Sequence, residues 1–273
     1  MKYCKRCLEP DTRPNNIFNK EGVCKACEYF EASKKINWVD RYETLENLIL
    51  EYSNSSKSKS RFDCIIGVSG GKDSTRQALW AREKLKLNPL LVCLTYPPEQ
   101  LTERGARNIS NLIDLGFNVH TLALSPQHWK KLLDLGFSKF TNIAKSAELA
   151  LFSTVPRLAI KYKIPLILWG ENPALQLGDL GALSEKGYDG NNLRNINTLS
   201  GADYQWMLES GFTHKDLIGY YYPLPEDFDK NNIQIIYLGW FIKDWSSIDN
   251  ALHSCLYGLS IRSASPLDTG DIF

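Results

Sequence analysis

The apolar positions of the chain change period along its length. Between residues 38 and 52, Val39, Tyr42, Leu45, Leu48, Ile49 and Tyr52 recur at intervals of three and four. That spacing predicts one face of a helix. The polar, serine-rich run from Ser53 to Ser60 follows and reads as a linker. Beyond it, short apolar runs alternate with helical stretches. Residues 62–68, 89–96, 118–122, 165–169 and 233–241 read as strands. Residues 74–86, 102–115 and 140–162 read as helices, the second with Thr102 as N-cap and Gly116 as stop. Pro156 marks a candidate bend in the third. Strands alternating with helices predict an α/β fold, a parallel sheet covered on both faces. Residues 171–232 are rich in Gly, Asn, Asp and aromatic side chains. They read as long loops with short helices, where substrate contacts concentrate. The linker divides the chain into 1–60 and 61–273.

Length and charge narrow the classes of function. The 273 residues suit one large domain with a small appendage. Lysine plus arginine is 32 and aspartate plus glutamate is 31, leaving a formal charge of +1. A chain without a global positive excess is not built to grip a long polyanion, so no nucleic-acid partner is expected. No run of about 18 apolar residues suggests a membrane span. Lys2, Lys5 and Arg6 are not followed by the apolar stretch of a signal peptide, and the cytoplasm is the expected location.

The cysteines add a metal site. Seven is an odd number, which argues against a disulfide framework. Cys4, Cys7, Cys24 and Cys27 form CxxC-x16-CxxC. Two-residue spacing lets both thiolates of a knuckle face one ion, and two knuckles complete a tetrahedral zinc site. The segment between them is built of turn formers, including Pro10, Pro14, Asn15, Asn16 and Gly22. Metal binding would therefore supply its folding energy. Four thiolates leave no open position, so the zinc is expected to be structural. An iron–sulfur cluster is the alternative for the same ligands. Cys64 and Cys93 lie in apolar runs and read as buried core, and Cys255 has no evident partner.

The remaining chemistry centres on Ser69-Gly70-Gly71-Lys72-Asp73-Ser74, between the first strand of the second segment and a helix. A glycine turn there exposes backbone N–H groups beside a helix N-terminus, an anion cradle suited to phosphates. Lys72 adds charge. The spacing is not that of a Walker A loop. Glu171 and Asn172 follow the strand at 165–169. They would lie at the carboxyl end of a parallel strand, where ligands bind in open α/β sheets. Lys145 and Arg157 read as a solvated helix face with a possible role toward phosphate or substrate as the alternative. Tyr220, Tyr221, Tyr222 and Trp240 read either as core or as rings to stack on a ligand. His120, His128, His214 and His253 show no ligand spacing.

The hexapeptide resembles the pyrophosphate-loop signature of the PP-loop ATP pyrophosphatases, whose fold is the adenine nucleotide alpha hydrolase-like one. Taken with the cysteine knuckles, Trp169-Gly170-Glu171-Asn172 and Tyr237-Leu238-Gly239-Trp240, the chain resembles the N-acetyl sugar amidotransferases of bacterial surface-polysaccharide (O-antigen) and flagellin-sugar biosynthesis. The resemblance covers most of the chain. It implies that ATP is cleaved to AMP and pyrophosphate, and that an N-acetyl group on a nucleotide-linked sugar becomes an acetamidino group. It implies Ser69, Gly70, Gly71, Lys72, Asp73 and Ser74 on the β,γ-phosphates, with Asp73 a candidate Mg²⁺ ligand. Adenine would lie near Leu94, Thr95 and Tyr96. Lys72, Asp73 and Glu171 would carry the chemistry, and Glu171, Asn172, Tyr221 and Trp240 would meet the substrate. Ammonia would come from a glutaminase subunit like that of imidazole-glycerol-phosphate synthase, sometimes with a synthase-like subunit. Family members usually continue past the last strand, so a further segment is expected beyond Phe273. A tRNA-thiolating enzyme is the main rival, since some share the knuckle and the loop. A nucleotide-regulated zinc-ribbon adaptor is a weaker one.

Overall fold

The structure, a computed structural model, describes residues 1–12, 16–57, 60–97, 101–176, 190–195 and 199–262. Five strands form one parallel sheet: β1 Cys64–Gly67, β2 Pro89–Thr95, β3 Asn118–Ala123, β4 Leu166–Trp169 and β5 Gln234–Tyr237. Their order is β3-β2-β1-β4-β5. The helices are α1 Lys25–Ser33, α2 Trp38–Lys57, α3 Lys72–Glu83, α4 Glu103–Asp114, α5 Pro126–Phe140, α6 Lys145–Tyr162, α7 Pro173–Gln176, α8 Gln205–Leu208, α9 Pro225–Asn231, α10 Leu238–Phe241 and α11 Ser247–Leu256.

The central strands are apolar along their length because helices cover both faces. Cys64, Ile65, Ile66, Leu91, Cys93, Ile167 and Ile236 have no exposed surface. Ile65 and Ile66 of β1 pair with Leu90 and Leu91 on one side and Ile167 and Leu168 on the other. The edge strand β3 has no fully buried residue, and Asn118, Thr121 and Ala123 are exposed. The α/β parallel-sheet expectation holds. Among the described residues no helix is long and apolar enough to cross a membrane.

Several local expectations change. The linker expected from Ser53 to Ser60 is helical as far as Lys57, because α2 continues for five residues beyond its apolar face. Leu45 and Ile49 of that helix are buried in the main core. The helix expected over 140–162 begins only at Lys145, and Phe140 instead closes the separate helix α5. Thr141 adopts φ 53°, a left-handed conformation that ends α5, and α6 starts at Lys145 with Pro156 inside it. Ser125 caps α5 by accepting from His128 N, and Pro126 occupies its first turn. The strand expected to reach 241 stops at Tyr237, and Leu238–Phe241 turns off the sheet as α10. Gly239 allows this. A Cβ there would lie 2.8 Å from the Gly170 carbonyl oxygen, so only glycine lets this turn sit against the end of β4.

Candidate nucleotide and reaction site

β1 ends at Gly67, and the chain crosses to α3 through Val68-Ser69-Gly70-Gly71. Gly70 takes φ +81°, where L side chains are strained, and a Cβ there would meet Ile109 at 3.1 Å. Gly71 is the N-cap of α3 and supplies no capping side chain. The first N–H groups of a helix have no partner within it. The turn is held by its own hydroxyls. Ser69 N donates to Ser74 Oγ at 3.3 Å, Gly71 N donates to Ser69 Oγ at 3.3 Å, and Ser74 Oγ donates to the Gly71 carbonyl at 3.2 Å. Lys72 Nζ lies 3.2 Å from Asp73 Oδ2.

β1 neighbours both β2 and β4, so the crossovers leave the sheet in opposite directions at this point. A crevice opens there at the carboxyl ends of the strands. It is a cleft of about 290 Å³ lined by Ser69, Gly71, Lys72, Asp73 and Ser74 on one side and by Trp169, Gly170 and Glu171 on the other. Leu94 of β2 and Leu151, Phe152 and Val155 of α6 supply apolar wall. The Phe152 ring stacks on Trp169 with centroids 5.6 Å apart. Gln77 of α3 also lines the cleft and presses on Gly170, where a Cβ would lie 2.9 Å from its Oε1.

Glu171 is exposed to the open cleft, yet protein surrounds its carboxyl on the other sides. Desolvation is the largest influence on it, the negative charge of Asp73 adds to it, and local hydrogen bonds oppose it; its pKa is pushed up from 4.5 to about 7. A carboxyl that exchanges protons near neutrality is suited to general acid–base chemistry.

Asp73 is held from a distant part of the chain. Asn250 Nδ2 of α11 donates to Asp73 Oδ1 at 2.6 Å. Asn250 Oδ1 accepts from Arg76 NH1 at 2.6 Å. Arg76 NH2 in turn reaches Asp244 Oδ2 at 2.6 Å. Ser254 Oγ donates to the Lys72 carbonyl at 2.7 Å. None of Arg76, Gln77, Asp244, Asn250 or Ser254 stood out in the sequence. Arg76 and Gln77 could have been found by their closeness to the glycine turn. Asn250 lies 177 residues from Asp73, and no local pattern announces it.

The structure gathers Ser69, Gly71, Lys72, Asp73, Ser74, Leu94 and Glu171 around one cleft, with Gly70 shaping the turn. Other expected residues are engaged elsewhere. Thr95 Oγ1 donates to the Leu122 carbonyl at 3.2 Å, and Tyr96 is buried edge-on against Trp129. Asn172 is 3% exposed and donates to the Gly239 carbonyl at 3.1 Å and to Tyr29 Oη at 3.3 Å. The Trp240 ring carries Tyr29 stacked at 5.2 Å and the Arg41 guanidinium at 4.2 Å. Tyr221 Oη donates to Asp227 at 3.4 Å and its ring meets Tyr204. Asn172 braces the Glu171 loop through Tyr29 and the Gly239 carbonyl, and Trp240 backs that brace by stacking on Tyr29. Lys145 and Arg157 are both partly desolvated, which lowers their pKa values.

The four N-terminal sulfurs lie within 4.8 Å of one another. Cys7 and Cys24 are 3.5 Å apart and Cys4 and Cys27 are 4.0 Å apart. Thiolates at about 2.3 Å around one tetrahedral ion stand about 3.8 Å from each other, so the spacing fits a single zinc-like ion. In a four-iron cluster each thiolate binds a different iron, which spreads the sulfurs further. Backbone amides of Arg6 and Cys24 donate to Cys4 Sγ at 3.4 and 3.3 Å. Burial pushes the Cys4 thiol up, but amide hydrogen bonds outweigh it and bring it down to about 6. Burial and neighbouring sulfurs push Cys24 and Cys27 up. Sulfurs this close need a cation before all four ionise. Cys24 is the N-cap of α1 and Cys27 lies in its first turn, and Tyr29 on the same helix reaches Asn172 and Trp240. The knuckle is thus two residues from the brace behind Glu171. A groove of about 440 Å³ runs beside the sulfurs past Arg6, Phe30 and Glu31, apart from the cleft of the glycine turn.

No family model matches the chain. An uncharacterized protein of Methanocaldococcus jannaschii is 27% identical over 112 residues, 40% of this chain. The chain spans 38% of that curated relative's length. Among solved structures, the ammonia-dependent NAD synthetase of Campylobacter jejuni has 16% identity and a TM-score of 0.37, covering 72% of this chain and 92% of that one. The NMN synthetase of Francisella tularensis has 14% identity and a TM-score of 0.37, covering 85% and 100%. The U34-tRNA thiolase of Methanococcus maripaludis, with its [4Fe-4S] cluster, has 15% identity and a TM-score of 0.33, covering 85% and 80%. Likeness at this level carries no statement about activity.

Proposed function

We propose that this chain is an ATP-dependent, AMP-forming amidotransferase acting on an N-acetyl sugar. One observation carries the reading: the glycine turn at the start of α3 and the carboxyl of Glu171, which desolvation pushes up to about 7, line the same cleft at the sheet's switch point. The choice of sugar rests on the resemblance of the cysteine knuckle, the glycine turn and the Trp169–Asn172 and Tyr237–Trp240 segments.

An amide is a poor electrophile, and adenylation remedies this. The acetamide oxygen attacks the α-phosphorus of ATP. The bond to the β-bridging oxygen breaks, and pyrophosphate leaves with the electron pair. The amide nitrogen releases its proton to solvent, giving an O-adenylyl imidate. Ammonia attacks the imidate carbon, the carbon–oxygen bond to AMP breaks, and an amidine remains. No side-chain nucleophile is needed. The N–H groups of the turn and Lys72 hold the β,γ-phosphates and stabilise the charge gathering on pyrophosphate. Glu171 takes a proton from the attacking ammonia and passes it to the former amide nitrogen, so that AMP departs as an anion and the amidine leaves protonated. Bound Mg²⁺ would neutralise triphosphate charge, held by Asp73, whose side chain is 43% exposed beside the turn. Cys4, Cys7, Cys24 and Cys27 would hold a structural zinc. Ammonia would be delivered by a separate glutaminase subunit.

Thiolation on the same loop would need an accessible thiolate to carry sulfur. Cys64 and Cys93 are fully buried, and burial pushes both thiols well up, Cys93 to about 12; Cys255 is half-buried, and burial pushes its thiol up as well, away from the thiolate. The decisive experiment is mass spectrometry of nucleotide-linked acetamido sugars incubated with the chain, ATP, Mg²⁺ and ammonium. The reading predicts a product lighter by the difference between an oxygen atom and an NH group, with stoichiometric pyrophosphate. Pyrophosphate release driven by tRNA, with no response to any acetamido sugar, would overturn it.

A further inference from the structure

Asp73 is the acidic side chain of the glycine turn, and its carboxylate has two holders. Lys72 Nζ lies 3.2 Å from Oδ2, and Asn250 donates to Oδ1 at 2.6 Å. The Lys72 ammonium is a local, flexible contact that bound phosphate can draw away. Asn250 is different. It is 1% exposed, and its amide is itself oriented by Arg76, which is 5% exposed. Arg76 is fixed in turn by the side chain and the main-chain carbonyl of Asp244, at 2.6 and 2.8 Å. With its oxygen taken by Arg76, the Asn250 amide can present only its NH₂ group to Asp73. Ser254, one helical turn further on, donates to the Lys72 carbonyl.

We propose that Asn250 is a positioning residue for the nucleotide site. Through the chain Asp244–Arg76–Asn250 it fixes one oxygen of Asp73 and leaves the other to face the metal ion that accompanies ATP. Helix α11 is therefore part of the nucleotide site although it does not line the cleft. This inference rests on the ATP reading above. A hydrogen bond to a charged group is strong, and losing one that positions a metal ligand should cost about tenfold or more in affinity.

The test compares ATP binding with Mg²⁺ and with excess chelator, by calorimetry, for the full chain and for N250A and N250D. N250A loses the donor. N250D keeps the shape and an oxygen for Arg76 but sets a second carboxylate against Asp73. The expected result is that Mg²⁺-ATP affinity falls about tenfold in N250A and further in N250D, while metal-free ATP affinity stays within about twofold. A structural role would lower both affinities together with the thermal midpoint. That parallel loss, or unchanged Mg²⁺-ATP affinity in folded variants, overturns the proposal. If both variants fail to fold, R76K, which keeps the charge and loses the fork that grips Asn250 and Asp244, must show the same selective loss. Failure of the unaltered chain to bind Mg²⁺-ATP at all would instead overturn the ATP reading itself.

Discussion

Replacing Gly239 with alanine pushes directly on the candidate catalytic carboxylate's own backbone. The added Cβ would lie 2.8 Å from the Gly170 carbonyl oxygen and 2.9 Å from the carbonyl carbon and oxygen of Glu171. Ordinary contact begins at 3.4 Å, so α10 and the Glu171 loop must separate by about 0.6 Å. All three atoms are backbone, so no rotamer change relieves the clash. Overpacking of this kind costs about 1–3 kcal/mol. For a chain of this size each kcal/mol is worth about 2–4 °C in Tm. A 1 Å misplacement in an active site costs about a hundredfold, so about half that displacement should cost on the order of tenfold in kcat. The glycine turn sits on β1 and is not touched, so the affinity for ATP should hold. The assay is sugar-dependent pyrophosphate release with saturating ammonium, alongside thermal unfolding. Unchanged kcat and unchanged Tm in G239A would refute the claim that this contact positions Glu171.

Lys72→Ala and Gly70→Ala should each weaken ATP binding, the first by removing the turn's cation, the second by strain at φ +81° and contact with Ile109; calorimetry should show about tenfold or more in both. With Glu171 as base, activity should rise with pH through about 7 and level off above it, and Glu171→Gln should remove that rise along with most of the rate. Its folded pKa lies above the ordinary carboxylate value, so the folded chain binds this proton more tightly. Stability should therefore fall as pH climbs from about 4.5 toward 7, and Glu171→Gln should flatten that part of the curve. Stripping the metal should melt the knuckle and free Tyr29 from Trp240, read as a change in tryptophan fluorescence and a lower Tm. Metal analysis should find one zinc and no sulfide, and iron with sulfide would contradict the single-ion geometry.

The parts of the site that were legible in the sequence are local ones. Ser69 to Ser74 could be read because strand, glycine turn and helix start are consecutive. Cys4, Cys7, Cys24 and Cys27 could be read because two-residue spacing already brings sulfurs together. Glu171 could be placed because strand ends are where crevices form. The helix Pro126–Phe140 does carry a local signal, Ser125-Pro126 followed by Trp129 and Leu132 at helical spacing. The break at Thr141 was not legible, since a threonine at φ 53° is chosen by tertiary packing. Trp240 and Tyr221 look like stacking platforms in sequence, but which ring meets which depends on contacts as distant as Tyr29. Asn250 shows the limit most clearly. Its partners, Asp73 and Arg76, are brought to it only when α11 folds back on α3.

The central claim is that the acetamide oxygen is adenylated. It is tested most directly by placing a heavy oxygen isotope in the N-acetyl carbonyl of the sugar and following it through the reaction with ATP, Mg²⁺ and ammonium. The label should leave in AMP, one atom per amidine formed, and pyrophosphate should carry none. Label retained in the sugar product, or found in inorganic phosphate, would contradict it.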